Sequence, residues 1–433
     1  MSRPNQPNQT IIMKFITYLS LALFLGLAAA TGARGEPART DINPALLYYQ
    51  AFLLEPHLSD ADHDYLFTNV WQGQVLPERF GDLMTNYYGN YLQLLQRAGE
   101  QKQPCDWGID LSRGPATLLP HLAPCKRAAQ SLRLHAMWEL QQGDEEVARD
   151  DLAAGLTVGR NSAPEGFLIG VLVQIADEAI IYSAVAENFS KFSSETLQQL
   201  EAAFEAAPAR TTMAAGVAQE QIIHTGWLRN KLQTIQREHP GNDAEVLAAI
   251  RDDATLQGFE YFGNDGQRDT NVWNRIAAAA GGTSDGLIGL VRELDSWYAR
   301  LHKILLLPQP EFDAQAQAFD TEIRTAANPL VKILLPYTLT PRKKEFTIQV
   351  EAAMVRAAVA YKVHGEAGLQ SVKDPGGNGP FGFQRFMLQG EDRGFQLTST
   401  YVATQGPVKM IFIEKDGPAI NVLGPRAGQA ATP

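Results

Sequence analysis

The sequence predicts a mainly α-helical protein, an irregular helical-hairpin (tetratricopeptide-like) bundle or short solenoid that ends in a small antiparallel β tail. Three observations carry this expectation. Apolar residues recur at helical spacing through residues 41–363, as in Phe80, Leu83, Met84, Tyr87, Tyr91, Leu94 and Leu95. Prolines and Gly/Asn/Asp clusters cut that pattern into helix-sized lengths. After His364 the composition turns to loop formers and then to β-branched and aromatic runs.

Taken in order, the chain opens with an export signal. Arg3 and Lys14 flank a polar start, and Phe15 to Ala30 is apolar or small except for Thr17 and Ser20. Ala28-Ala29-Ala30 supplies the small residues a signal peptidase needs, so residues 1–30 are expected to be a signal peptide cleaved after Ala30, with Gly35 as second choice. The run falls short of the ~20 apolar residues that span a bilayer. No cysteine lies near the cleavage site, which argues against a lipoprotein anchor, and Met13-Lys14 would make a more compact start. Residues 31–40 read as a flexible lead.

A helical domain follows over residues 41–340. Asn43-Pro44 places a cap before a proline at the first helical position. Helices are expected from Pro77 to Ala98, then as a hairpin over residues 126–160 turning at Gly143-Asp144. Further helices are expected at 165–190, 194–207, 210–238, 243–253, 284–307 and 311–327. Gly258 to Asn271 reads as an exposed loop. Residues 341–415 are expected to form a helix (342–363) plus three strands, Phe381–Leu388, Phe395–Val402 and Val408–Ile413. Residues 416–433 are expected to be disordered.

The 433-residue chain is 45% hydrophobic and 20% charged, a globular balance with a net charge of −11. Removing residues 1–30 takes two bases and no acids, giving −13. That acidity opposes nucleic-acid binding, and no dense basic patch offsets it. Two cysteines, Cys105 and Cys125, are present; in an exported chain they are expected to pair as a disulfide contributing roughly 3 kcal/mol.

Several constellations invite a chemical reading. Gly282-Thr283-Ser284-Asp285-Gly286 fits a nucleophile elbow, with Asp295 and His302 downstream, but the preceding Ile276 to Ala280 is a helical alanine-rich run rather than the required strand. Ser284 is read as a helix cap instead. Asp60, Asp62 and Asp64 alternate like a calcium loop, with His57 and His63 nearby, yet Tyr65 and Trp71 stand where glycine and glutamate are needed. His135 with Glu139, and Glu220 with His224, each lie four apart on a helix face and are weak acid–base or metal candidates. Asp106, Trp107 and His121, beside the cysteines in a non-helical stretch, are the candidate binding residues. No metal or cofactor is expected.

Two stretches resemble known families. Cys105-Asp106-Trp107-Gly108, Leu118-Leu119-Pro120-His121-Leu122 and Leu156-Thr157-Val158-Gly159-Arg160 resemble an uncharacterised family of exported bacterial helical proteins, with the likeness covering most of residues 41–364. Arg356, Tyr361, Gly365, Asp374-Pro375, Gly379-Pro380 and Phe383 resemble the helix-to-sheet module of type II secretion pseudopilins. In pseudopilins the hydrophobic stem begins the protein; here the helix is internal and amphipathic, so the resemblance implies only the local fold.

The combined expectation is an exported protein of the periplasm or cell envelope that binds or scaffolds an envelope protein or glycan. It would contact membrane only through the uncleaved signal peptide. The alternatives are an envelope hydrolase using His135, Glu139, Glu220 and His224, or a secretion-machinery accessory.

Overall fold

Helical hairpins form the body of the protein, and a three-stranded antiparallel sheet packs against it. The computed structural model describes residues 41–67, 71, 74–253, 256, 269–336, 338–404, 406–418 and 420–423. The expected signal peptide and flexible lead, residues 1–40, lie outside these, as do 258–268 of the expected loop and 424–433 of the tail.

The first helix, α1 (Pro44–Leu53), starts where Asn43 accepts a hydrogen bond from the Ala45 N–H, with Pro44 at the first position. Next come α2 (Asp60–Phe67), α3 (Glu78–Asp82), a π-helical turn (Leu83–Tyr87) and α4 (Tyr88–Gly99). A 3-10 segment at Leu111–Ala116 precedes the central hairpin of α5 (Leu122–Gln142) and α6 (Glu145–Arg160). The turn works as its residues demand. Gly143 adopts φ 88°, which ends α5, and Asp144 caps α6 by accepting from the Val147 N–H.

Helix α6 packs against α4, α5, α8 (Ser194–Ala206) and α7 (Leu168–Glu187). Two glycines permit that approach. A Cβ at Gly155 would sit 2.5 Å from Ile181 Cδ1, and one at Gly159 would sit 2.8 Å from Asp177 Cβ. Buried Ala148, Leu152 and Leu156 fill the interface, each leucine contributing about 1.5–3 kcal/mol. Helix α7 is long and apolar enough to cross a membrane, but it packs against other helices and β3, and Asp177 and Glu178 at its middle are fully buried.

The second half holds α9 (Met213–Glu220), a π-helical turn (Gln221–Gly226), α10 (Trp227–Glu238), α11 (Asp243–Asp252), α12 (Val272–Ala279), α13 (Ser284–Leu305), α14 (Gln309–Thr325) and α15 (Pro329–Leu334). The expected helix over 210–238 is thus one helical run from Met213 to Glu238 with a π turn in its middle. In the π turn the Thr225 hydroxyl donates to the Gln221 carbonyl one turn back, a bond that bends helices.

Helix α16 (Leu339–Ser371) packs on α7 and α8 and also under the sheet, so helical body and tail share one core. It breaks at Gly365, where φ is 63°. Strands β1 (Gly382–Leu388), β2 (Glu391–Ala403) and β3 (Gly406–Ile413) pair in sequence order. Phe395 stands opposite Phe412, and both stack edge-on against Phe189, while Tyr361 of α16 covers Phe395. Asp374, fully buried, pins the preceding turn to β2 by accepting from Ser399 Oγ (2.7 Å), the Thr400 N–H (2.7 Å) and the Gly376 N–H (2.8 Å). Order continues beyond residue 415, contrary to expectation. Val422 is buried, and its carbonyl accepts from the Ile411 N–H at 2.8 Å. Burial of Val422 ties this segment to the sheet.

Candidate functional site

The densest group of special residues turns out to be core. Trp107 is buried, and its indole N–H donates to the Asn161 carbonyl at 2.7 Å. Its ring stacks on His121 (4.6 Å between centroids) and Tyr48 (5.6 Å), lies parallel to Phe52 (6.1 Å) and meets Tyr49 edge-on (5.2 Å). His121 is equally buried, with Nε2 against the Ser162 carbonyl at 3.1 Å, and burial lowers its pKa. Of the three residues expected to bind a partner, only Asp106 is exposed, and its carboxylate closes a local turn onto the Gly108 N–H. Trp107 and His121 therefore do not present a surface. They lock α1 to the end of α6, because a tryptophan with one polar atom is well satisfied where a single carbonyl awaits it.

The expected Cys105–Cys125 disulfide is corrected. Both residues are free thiols, and both are buried. The Ala45 backbone hydrogen-bonds the Cys105 sulfur, while Cys125 is enclosed within α5. Burial pushes both thiols well up, assisted by the charges of Glu165 and Asp106 at Cys105 and of Asp177 at Cys125. Thiols so raised are poor nucleophiles.

The two His–Glu pairs do not combine. His135 Nδ1 lies 2.6 Å from Asp151 Oδ2 and Nε2 lies 3.3 Å from Glu139 Oε1, while Gln96 donates to Asp151 Oδ1 at 2.7 Å. Burial acts to lower the His135 pKa, but the hydrogen bond and charge of Asp151, with Glu139, outweigh it and leave the imidazole raised. With both ring nitrogens engaged, His135 fastens α4, α5 and α6 together. Glu220 instead accepts from the Leu168 backbone, and burial raises it to about 7. His224, on the π turn, is lowered by burial to about 4, and its Nδ1 has no protein partner. No ion pair joins Glu220 and His224 among the described residues.

The remaining motifs resolve structurally. Thr283, not Ser284, caps α13 by accepting from the Gly286 N–H, and Ser284 is the first helical residue. Its hydroxyl donates to Asp243 Oδ1 at 2.6 Å, and a helix rather than a strand precedes it. Asp62 pairs with Arg79 at 2.5 Å and accepts from the Ser59 hydroxyl at 2.7 Å. No group of three or more His, Cys, Asp or Glu side chains fit to hold a metal occurs among the described residues.

What sequence reasoning missed is a charged cleft at the junction of α6, α7, α8 and α16. At its base Glu178, whose side chain is wholly buried, receives Arg160 Nε (3.0 Å) and Arg210 Nη2 (2.7 Å). Arg160 Nη1 also donates to the carbonyls of Phe204 and Pro208. Above them opens a cleft of about 450 Å³ lined by Tyr182, Glu201, Glu205, Arg210, Gln349 and Arg356, with Pro375 of the tail at the rim. Burial, then the charge of Glu205, raises the Glu201 carboxyl, and Arg356 partly offsets this. One signal for the cleft stood in the sequence. Asp177-Glu178 interrupts a long apolar helix, and a buried carboxylate needs cationic partners.

A second cleft of about 310 Å³ lies between Trp71, residues 74–76, α5 and the sheet. It has apolar walls from Leu76, Met137, Leu140, Ile413 and Val422. Two of its charged neighbours are committed, Glu187 to Arg133 at 2.5 Å and Arg393 to the Lys415 carbonyl at 2.9 Å, and Lys191 and Asp416 also line it. Glu220 lines neither cleft. Compared with known proteins, the chain matches no family model, no curated protein and no solved structure.

Proposed function

We propose that this protein is an exported binding or scaffolding component of the cell envelope that takes a protein or glycan partner through the cleft between α8 and α16. One observation carries the reading. In that cleft charged side chains from several elements converge that the fold does not consume: Arg356 and Glu205 are exposed and join no ion pair among the described residues. Elsewhere the special residues are satisfied internally, as at Trp107 and His135. Clefts with few converging polar groups at the meeting of several elements are where ligands bind. Export rests on the signal-like residues 1–30.

The test is a crosslinked pull-down of the full-length tagged protein from an envelope fraction, quantified by mass spectrometry beside an Arg356→Glu control. A near-stoichiometric partner recovered by wild type and lost in the control is expected. Retention in Arg356→Glu, or no partner at all, would refute the reading. The intact mass of the accumulated protein should begin after Ala30; a full-length mass would remove the export part.

A further inference from the structure

We infer that the cleft between α5 and the sheet is a second binding site, one for a small organic carboxylate with an apolar tail, whose carboxylate Arg393 holds. This site is independent of the cleft between α8 and α16.

Among the described residues two arginines are buried, Arg342 and Arg393. Arg342 meets Glu345 at 3.3 Å. Arg393, only 4% exposed, forms no ion pair among the described residues. A guanidinium taken out of water without an anion is strongly disfavoured, so buried charges are normally paired. Here backbone atoms, not an acid, fix the residue. Its Nε donates to the Lys415 carbonyl at 2.9 Å, and its own carbonyl accepts from the Glu414 N–H at 2.9 Å. Gly417 lies so close that a Cβ there would overlap the guanidinium. Nη1 and Nη2 have no hydrogen-bond partner among the described residues, and Arg393 lines the cleft. Two such nitrogens match the two oxygens of a carboxylate, and their carrier is already held in place.

The other charges at the cleft leave this one dominant. Glu187 is neutralised by Arg133 at 2.5 Å. Asp416 is exposed, where solvent and salt screen it. Lys191 is half-buried, joins no ion pair among the described residues, and adds to the positive side. Arg393 and Lys191 against Asp416 sum to one positive charge, which a carboxylate balances and a phosphate dianion exceeds.

The walls select the rest of the ligand. Trp71, Leu76, Met137, Leu140, Ile413 and Val422 present apolar surface, which favours a hydrocarbon tail over a polar one. At about 30 Å³ for each water-sized group, the volume of about 310 Å³ holds roughly ten non-hydrogen atoms. Octanoate has that size and carries one charge.

The experiment is titration calorimetry on the full-length protein with sodium octanoate, 1-octanol, octyl phosphate and sodium acetate. Saturable octanoate binding is expected below about 1 mM, with octanol weaker by about tenfold or more for want of the charge-assisted contact. Acetate, which lacks the tail, should also be weaker by at least about tenfold. Arg393→Met should make octanoate and octanol bind alike. Lys191→Glu, at a half-buried position, should keep the wild-type circular dichroism and weaken octanoate several-fold while leaving octanol unchanged; it carries the test if Arg393→Met does not fold. No saturation by octanoate at about 10 mM, equal binding of octanoate and octanol to wild type, or octanoate binding unchanged in Lys191→Glu overturns the inference. Octyl phosphate binding more tightly than octanoate overturns the assignment of a carboxylate.

Discussion

Replacing Trp107 by alanine removes the centre of the stack that fastens α1 to the hairpin. A buried tryptophan covers about 150–250 Å², which at ~25 cal/mol/Å² corresponds to about 4–6 kcal/mol. Large-to-small changes of this kind cost about 3–5 kcal/mol. The substitution also strips the Asn161 carbonyl of the indole N–H that meets it at 2.7 Å, and a buried group left unmet costs roughly 1–3 kcal/mol. With partial collapse of Tyr48, Phe52 and His121 into the space, a net loss of about 4–6 kcal/mol is expected. Trp107→Phe keeps most of the ring contact and loses only the donor, for about 1–2 kcal/mol. Equilibrium urea unfolding followed by far-UV circular dichroism reads both values. Hydrogen exchange should show the α1 amides losing protection first in the alanine variant. If Trp107→Ala stayed within about 1 kcal/mol of wild type yet lost its partner in the pull-down, the indole would be a contact surface and the packing argument would fail.

Three further outcomes follow from the same geometry. Glu178→Gln leaves Arg160 and Arg210 buried without an anion and should cost about 3–5 kcal/mol in urea unfolding; a loss below 1 kcal/mol would show that the guanidiniums find water instead. Cys105 and Cys125 should resist thiol reagents in the native protein, and both should alkylate in denaturant without reductant, giving two additions by intact mass; no addition would restore the disulfide. The third concerns pH. Glu220, raised from 4.5 to about 7, contributes stability that is full below 4.5 and lost as pH rises to 7. His224, lowered from 6.5 to about 4, contributes stability that is full above 6.5 and lost as pH falls to 4. The two oppose each other in wild type. Glu220→Gln should therefore lose up to about 3 kcal/mol on acidification from pH 6.5 to 4, and His224→Gln should gain as pH falls from 7 to 4.5. Profiles parallel to wild type in both variants would contradict the burial assigned to these groups.

Local patterns in the chain determined the elements. Helical periodicity with the cap at Asn43 and the turn at Gly143-Asp144 set most helices of the body within a few residues, while α15 stood outside the expected set. Gly365 ended the main run of α16, and the density of turn residues after Asp374 announced the sheet. These signals are legible because each depends on a residue and its near neighbours. The tertiary structure decided which special side chains are consumed. Trp107 looked like a binding residue until Asn161, 54 positions away, supplied its acceptor. His135 looked free beside Glu139 until Asp151 came across the hairpin. The cleft draws Arg160, Glu201, Arg210 and Arg356 from segments nearly 200 positions apart, and none of them is distinctive alone. The decision lies there because desolvation and charge pairing act through space over a few ångströms, whereas periodicity and capping act along the chain.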